Sequence, residues 1–218
     1  MNRTSTKLVL ALSIGSLLAG CAAPLVLGGA AVGGALIATD RRTTATQLED
    51  EQIELKAMSR IAEALGDRGH VNTVSFNRQV LISGEVPNER DKALVQQIVS
   101  RVENVASIVN ELGVMPTSSL TQRASDSLVT GRVKAALVDA KDLYANSFKV
   151  FTERGVTYLM GRVTQREANR ATEIARSTSG VQKIVRILEI ISEDELLRML
   201  PQPAKPADTK RSASPSGS

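Results

Sequence analysis

The chain is poor in the residues that usually mark chemistry or cross-linking. Among 218 residues there is one cysteine, Cys21, one histidine, His70, and no tryptophan, with only three phenylalanines and two tyrosines. A single thiol excludes an intrachain disulfide and a CxxC redox motif. His70 has no thiol near it in sequence, and a catalytic triad or metal site needs partners that converge in space. No HExxH, GxSxG or Gly-rich phosphate loop is present, so the chain reads as a non-enzyme without a cofactor. Scarce aromatics leave no stacking platform for single-stranded nucleic acid. They also leave the core to Val, Ile, Leu and Ala. Charge of one sign is lacking too. The 27 basic side chains face 23 acidic ones, and without Arg3 and Lys7 the balance is 25 to 23, or +2. That is too small an excess for a nucleic-acid footprint.

The N-terminus carries the first positive signal. Arg3 and Lys7 precede an apolar run from Leu8 that closes in Leu18-Ala19-Gly20-Cys21. The run is shorter than the roughly 20 residues a membrane span needs. Residues 1–20 therefore read as a secretory signal peptide. Leu-Ala-Gly-Cys resembles the lipobox of bacterial lipoproteins. That resemblance implies a diacylglycerol on the Cys21 thiol, removal of the preceding peptide and acylation of the new amine, palmitate being the expected acyl group. More than one chain makes such an anchor stable. Residues 21–45 form a Gly/Ala-rich leader in which the four glycines between Ala22 and Ala38 weaken any helix. It reads either as a flexible membrane-proximal tether or as a small-residue face that associates within the membrane.

The body is an internal repeat. Val80-Leu81-Ile82-Ser83-Gly84-Glu85-Val86 answers to Thr157-Tyr158-Leu159-Met160-Gly161-Arg162-Val163, with Gly84 and Gly161 77 positions apart. Val105-Ala106-Ser107-Ile108-Val109 answers to Val181-Gln182-Lys183-Ile184-Val185 at a spacing of 76. In the first copy the spacing predicts a helix over 52–65 and a hairpin of 71–76 and 79–85 through Asn77-Arg78. A helix opening at Pro87-Asn88, with Ala93, Leu94, Gln97, Ile98 and Arg101 on its face, and a strand over 105–112 complete it. The second copy predicts a helix over 125–140 capped by Ser125 or Asp126, a hairpin of 148–153 and 156–163, a helix over 165–177 and a strand over 181–191. Acidic side chains read as spread along exposed helix faces. Each copy is then an αββαβ two-layer sandwich with a three-stranded mixed sheet, since the crossover through a helix makes the last two strands parallel. The fold class is α+β in two tandem domains, 46–115 and 124–192, joined by a linker at 116–123. An acidic extension and a Pro/Ser-rich tail fill 193–218. Gly84 and Gly161 read as sites of close backbone approach that a Cβ would block.

A glycine after the second strand, then a helix, then a Val-x-x-Val/Ile-Val strand resembles the BON domain. Two such units behind a lipobox and the leader Ala38-Thr39-Asp40-Arg41-Arg42 resemble the dual-BON outer-membrane lipoproteins of Gram-negative bacteria. The resemblance implies an anchored, periplasm-facing, non-catalytic protein that binds anionic phospholipid through the first helix of its second unit and supports envelope integrity. Carried onto 125–140, it points to Leu128, Val129, Gly131, Arg132, Val133, Lys134 and Leu137. At about 100° per residue, Val129, Val133, Ala136, Leu137 and Ala140 share the sector that should face the sheet, and Leu128 lies off it beside Gly131, Arg132 and Ala135. Arg132 and Lys134 offer a fork and a point charge to phosphate oxygens. The matching helix of the first unit carries Glu49, Asp50, Glu51, Glu54 and Glu63 against Lys56 and Arg60, which an anionic surface should repel. Leu128 packed on the other unit is the competing reading. The competing function is an adaptor that docks envelope proteins, in barrel assembly or peptidoglycan remodelling, on a free sheet face. His70 reads as a surface or turn residue.

Overall fold

A computed structural model describes residues 40–199. Cys21, the leader before Asp40 and the Pro/Ser tail lie outside the described residues. The first domain runs α1 (Thr44–Leu65), β1 (His70–Phe76), β2 (Gln79–Val86), α2 (Glu89–Ser100), β3 (Ser107–Asn110) and β4 (Gly113–Val114). The second runs α3 (Leu120–Asp139), β5 (Phe148–Glu153), β6 (Val156–Thr164), α4 (Gln165–Ser177), β7 (Lys183–Ile191) and a short α5 (Glu193–Met199).

Both first helices start earlier than their apolar spacing suggests. Side-chain hydroxyls in extended backbone set the starts: Thr43 accepts from Thr46 N at α1, and Ser119 accepts from Gln122 N at α3. The stretch read as a linker therefore already contains the first turn of α3. Each hairpin closes in a two-residue turn with both φ values positive, Asn77 (51°) and Arg78 (63°), then Arg154 (51°) and Gly155 (73°). This geometry matches the right-handed twist of the flanking strands. β2 pairs antiparallel with β1 and parallel with β3 and β4, and β6 likewise joins β5 and β7.

Two local expectations fail. The strand foreseen over 105–112 is split, because Asn110 Oδ1 accepts from Leu112 N and Leu112 turns its side chain into the core. The fully buried face of α2 is Asp91, Val95 and Val99; of the expected stripe Leu94 and Ile98 pack half-buried beside it, while Ala93, Gln97 and Arg101 are exposed. Its entry fixes that rotation: Asn88 caps Asp91 N, and Asp91 pairs at 2.6 Å with Arg68, which also donates to Leu65 O at the end of α1.

Within each domain both longer helices cover one face of the sheet. Ile53, Ala57, Ile61, Val80, Ile82, Val95 and Val99 build the first core, and Val129, Val133, Leu137, Leu159, Val163 and Ala171 belong to the second. The other sheet faces are not free. Phe76 and Leu81 of the first domain pack on Tyr158, Met160 and Ile187 of the second. The strand period of two sends Leu81 and Met160 to one side and Val80, Ile82 and Leu159 to the other. The layers therefore run helices, sheet, sheet, helices. At roughly 1.5–3 kcal/mol per fully buried large apolar side chain, this middle layer ties the domains firmly. The face that the adaptor reading would offer a partner is consumed by the duplicate. Burial in this layer pushes the Tyr158 hydroxyl up to about 12, with smaller contributions from Glu111 and Glu153.

Candidate membrane-facing helix

The placement of α3 depends on one buried acid. Asp126 does not cap the helix. It lies inside it, buried, and accepts from Arg154 N (2.8 Å) and Gly155 N (2.9 Å) in the β5–β6 turn. Those two donors point out of the hairpin, so a carboxylate on the covering helix both satisfies them and fixes the roll of α3 over the sheet. Asp50 does the same for the first domain, accepting from Asn77 N and Arg78 N, both at 2.8 Å, and from Ser75 Oγ at 2.6 Å. Acidic residues are thus not all solvated helix decoration. The sequence carried a signal for this, since each Asp precedes its turn by 27 or 28 residues.

With the roll fixed, the seven residues singled out on α3 divide. Val129, Val133 and Leu137 are buried against the sheet and α4. They cannot touch a membrane, because their side chains line the domain core. Leu128 is 63% exposed, and Gly131, Arg132 and Lys134 are exposed. Leu128 is therefore not packed on the other domain. A Cβ on Gly131 would meet nothing within 4 Å. The outward side also carries two large apolar residues that the sequence reading missed, Leu120 (81% exposed) and Val138 (68%). At 100° per residue they fall with Ala124, Leu128, Gly131 and Ala135 in one sector. Placing the helix start at Leu120 rather than Ser125 would have revealed it. Arg132 and Lys134 flank this strip, and neither pairs with a carboxylate among the described residues; Arg132 reaches only Ser179 O, at 3.5 Å. Lys134, Val138, Arg42 and Lys149 border a groove of about 530 Å³ at the C-terminal end of the helix.

The two glycines are sites of close approach. An added Cβ at Gly84, where φ is +109°, would stand 2.0 Å from His70 O, and one at Gly161 would stand 2.5 Å from Ser147 O. Both glycines lie inside strands, β2 and β6, rather than at their ends.

Polar groups seal the seam between the domains. Arg41 makes a two-pronged pair with Glu167 (2.6 and 2.8 Å) and donates to Arg162 O, while Arg42 pairs with Asp50 at 2.8 Å and lies 4.3 Å over the Phe76 ring. The segment Asp40-Arg41-Arg42 thus straps both domains. Burial raises the Glu167 carboxyl, but Arg41 and the Thr164 N–H outweigh it and hold it below its ordinary value. Across the seam Arg154 pairs with Glu85 at 3.0 Å, and Asn72 donates to Glu153 at 2.8 Å. Burial pushes both carboxyls up. Ser118, Arg154 and His70 bring Glu85 below its ordinary value, whereas Glu153 stays above, raised further by Glu85 and Asp126. His70 is not a plain surface residue: its side chain is only 19% exposed and faces both acids.

A duplicated αββαβ sandwich with its strand glycines in place defines a class, and the BON domain model matches residues 49–116 and 125–191. The chain belongs to the BON-domain family. It is similar to the outer membrane lipoprotein DolP of Haemophilus influenzae, 37% identical over 85% of this chain and 96% of that one. The 21 kDa hemolysin of Actinobacillus pleuropneumoniae is 27% identical over 70% of this chain and 79% of its own length. The osmotically-inducible protein Y of Escherichia coli is 26% identical over 58% of this chain and 67% of its own.

Proposed function

We propose that this chain is an outer-membrane lipoprotein anchored through Cys21, facing the periplasm, that binds anionic phospholipid through the outward strip of α3 and serves envelope integrity without catalysing a reaction. The likeness to DolP supports the location and the envelope role. The observation that carries the lipid reading is the exposed strip of Leu120, Leu128 and Val138 between Arg132 and Lys134, uncovered among the described residues. Among the described residues no helix is long and apolar enough to cross a membrane. The strip is suited to lying in the headgroup region instead. Each cation near an anionic surface contributes about 1 kcal/mol, and each partly inserted Leu or Val a share of the roughly 1.5–3 kcal/mol of full burial. This is modest for a free protein. It is enough for weak, measurable binding to vesicles in lipid excess, and tethering strengthens it by raising the local concentration.

An adaptor that docked on a free sheet face would find both such faces packed on each other. Co-sedimentation of residues 22–218 with vesicles separates the two readings. Binding to anionic but not zwitterionic vesicles, weakened by salt, is the expected result. Leu128→Glu with Val138→Glu should reduce it about tenfold or more, each 1.4 kcal/mol being a factor of ten, with the unfolding midpoint unchanged. Leu55→Glu, on the corresponding helix of the first domain, should leave it intact. A double variant that still binds like the parent refutes the lipid reading.

A further inference from the structure

We infer that the seam between the two domains holds a divalent transition-metal site, built from His70 Nδ1, Glu85 Oε2 and Glu153 Oε1. The first two ligands come from β1 and β2 of the first domain and the third from β5 of the second, so the ion would bolt one domain to the other.

Geometry comes first. One ligand atom from each of the three residues lies within 4.8 Å of the other two. His70 Nδ1 is 3.4 Å from Glu85 Oε2 and 3.9 Å from Glu153 Oε1. Donors around a tetrahedral ion with bonds of about 2.0–2.2 Å stand roughly 3.3–3.5 Å apart, so drawing the three ligands together completes three corners and leaves the fourth for a water. The same distances are long for hydrogen bonds among the three groups.

The second observation is independent of spacing. His70 Nδ1 and Glu153 Oε1 are both buried and make no hydrogen bond among the described residues. The Glu153 side chain is 6% exposed and that of Glu85 is fully buried. A native core seldom leaves such atoms unpartnered, and an ion among them would satisfy both at once. Neighbours already hold the ligands in place. Glu85 takes Ser118 N and Oγ on the ligating oxygen, at 3.2 and 3.3 Å, and Arg154 on the other. Asn72 holds the second oxygen of Glu153. Such outer contacts orient ligands. Metal on Nδ1 puts the ring proton on Nε2, which then cannot accept from Asn72 Nδ2, so the long 3.4 Å contact between them is not a hydrogen bond in the metal-bound form.

Chemistry selects the ion. One imidazole with two carboxylates suits zinc and its transition-metal neighbours, while magnesium and calcium prefer oxygen alone. A dication would also neutralise two buried acids of which, among the described residues, only Glu85 is paired with an arginine, Arg154.

The test is calorimetric titration of the full chain, purified in detergent, with Zn²⁺ and separately Mg²⁺. One zinc per chain, a thermal unfolding midpoint that rises with zinc, and no response to magnesium are expected. His70→Ala and Glu153→Gln should each weaken zinc binding by more than the roughly 10–100-fold seen for loss of an outer contact. Cys21→Ser should leave it unchanged. His70→Ala removes a partly exposed ring, so circular dichroism before zinc addition should match the parent, and it carries the test alone if Glu153→Gln does not fold. Absence of saturable zinc binding, equal binding by His70→Ala, or loss of binding in Cys21→Ser would each overturn the site.

Discussion

The two domains repeat one plan and differ where they meet the outside. α1 and α3 hold the same position, each buries a stripe against its sheet, and each sends an aspartate to its hairpin turn. Their outward sides part company. On α1, Leu48, Leu55 and Met58 are exposed, but Glu51 stands among them, and Lys56 and Arg60 are engaged by Glu103. On α3 the strip from Leu120 to Val138 has an acid only at its edge, Asp139, and among the described residues Arg132 and Lys134 are not engaged by carboxylates. Duplication has kept what folding requires in both copies. It has left the solvent face of each first helix at liberty to diverge, because that face bears little on stability.

The turn aspartates offer the hardest test of this equivalence. Removing a buried acceptor strands its donors at about 1–3 kcal/mol for each group left unsatisfied. Asp50→Ala strands two turn amides and the Ser75 hydroxyl and leaves the half-buried Arg42 short of a partner, so a loss of about 3–5 kcal/mol is expected in urea unfolding of the full chain. Asp126→Ala strands the two turn amides, while the half-buried Gln122 can turn to water, so it should cost less, about 2–3 kcal/mol. Equal losses would mean that the strap through Arg42 adds nothing to the first domain.

The strand glycines sharpen the comparison at a smaller scale. Gly84→Ala meets a backbone oxygen at 2.0 Å and must also hold φ at +109°, whereas Gly161→Ala meets one at 2.5 Å without a left-handed backbone. Left-handed strain alone is worth about 1–3 kcal/mol, so Gly84→Ala should lower the unfolding midpoint more than Gly161→Ala. The reverse order would show that the second sheet is the less yielding of the two.

The smallest effect concerns the strap on the second domain. Glu167→Gln preserves the capping box of α4 in form but removes the charge paired with Arg41. Because the folded Glu167 carboxyl titrates below its ordinary value, its contribution is complete above the unfolded value of about 4.3 and is lost as pH falls through the folded one. Thermal melts should therefore show the variant less stable than the parent at pH 7, with the gap closing below about pH 4. A gap independent of pH would assign the loss to packing instead of charge.

Much of this was legible along the chain. Spacing alone located both hairpin turns, because a two-residue turn between alternating segments admits few geometries. It also located the crossover helix of the second domain and the glycines that admit a neighbouring backbone. It failed on the rotation of α2, where Asn88, Asp91 and Arg68 overrule the nearest apolar stripe. It failed again on the starts of α1 and α3, which polar caps set rather than apolar residues. Val129, Val133 and Leu137 were drawn into the lipid-facing set because a list along a helix mixes its two sides.

Sequence periodicity is local, and it settles what neighbours along the chain can settle: element type, duplication, turn geometry and the composition of each helix face. Only the assembled structure decided that the two sheets bury their second faces on each other, that Arg41 and Arg42 reach one domain each, and that His70, Glu85 and Glu153 converge. Most of those contacts join residues far apart in the chain, Arg41 with Glu167 and His70 with Glu153 among them. Their cause is the need to cover two apolar sheet faces at once, which no single stretch of the chain records.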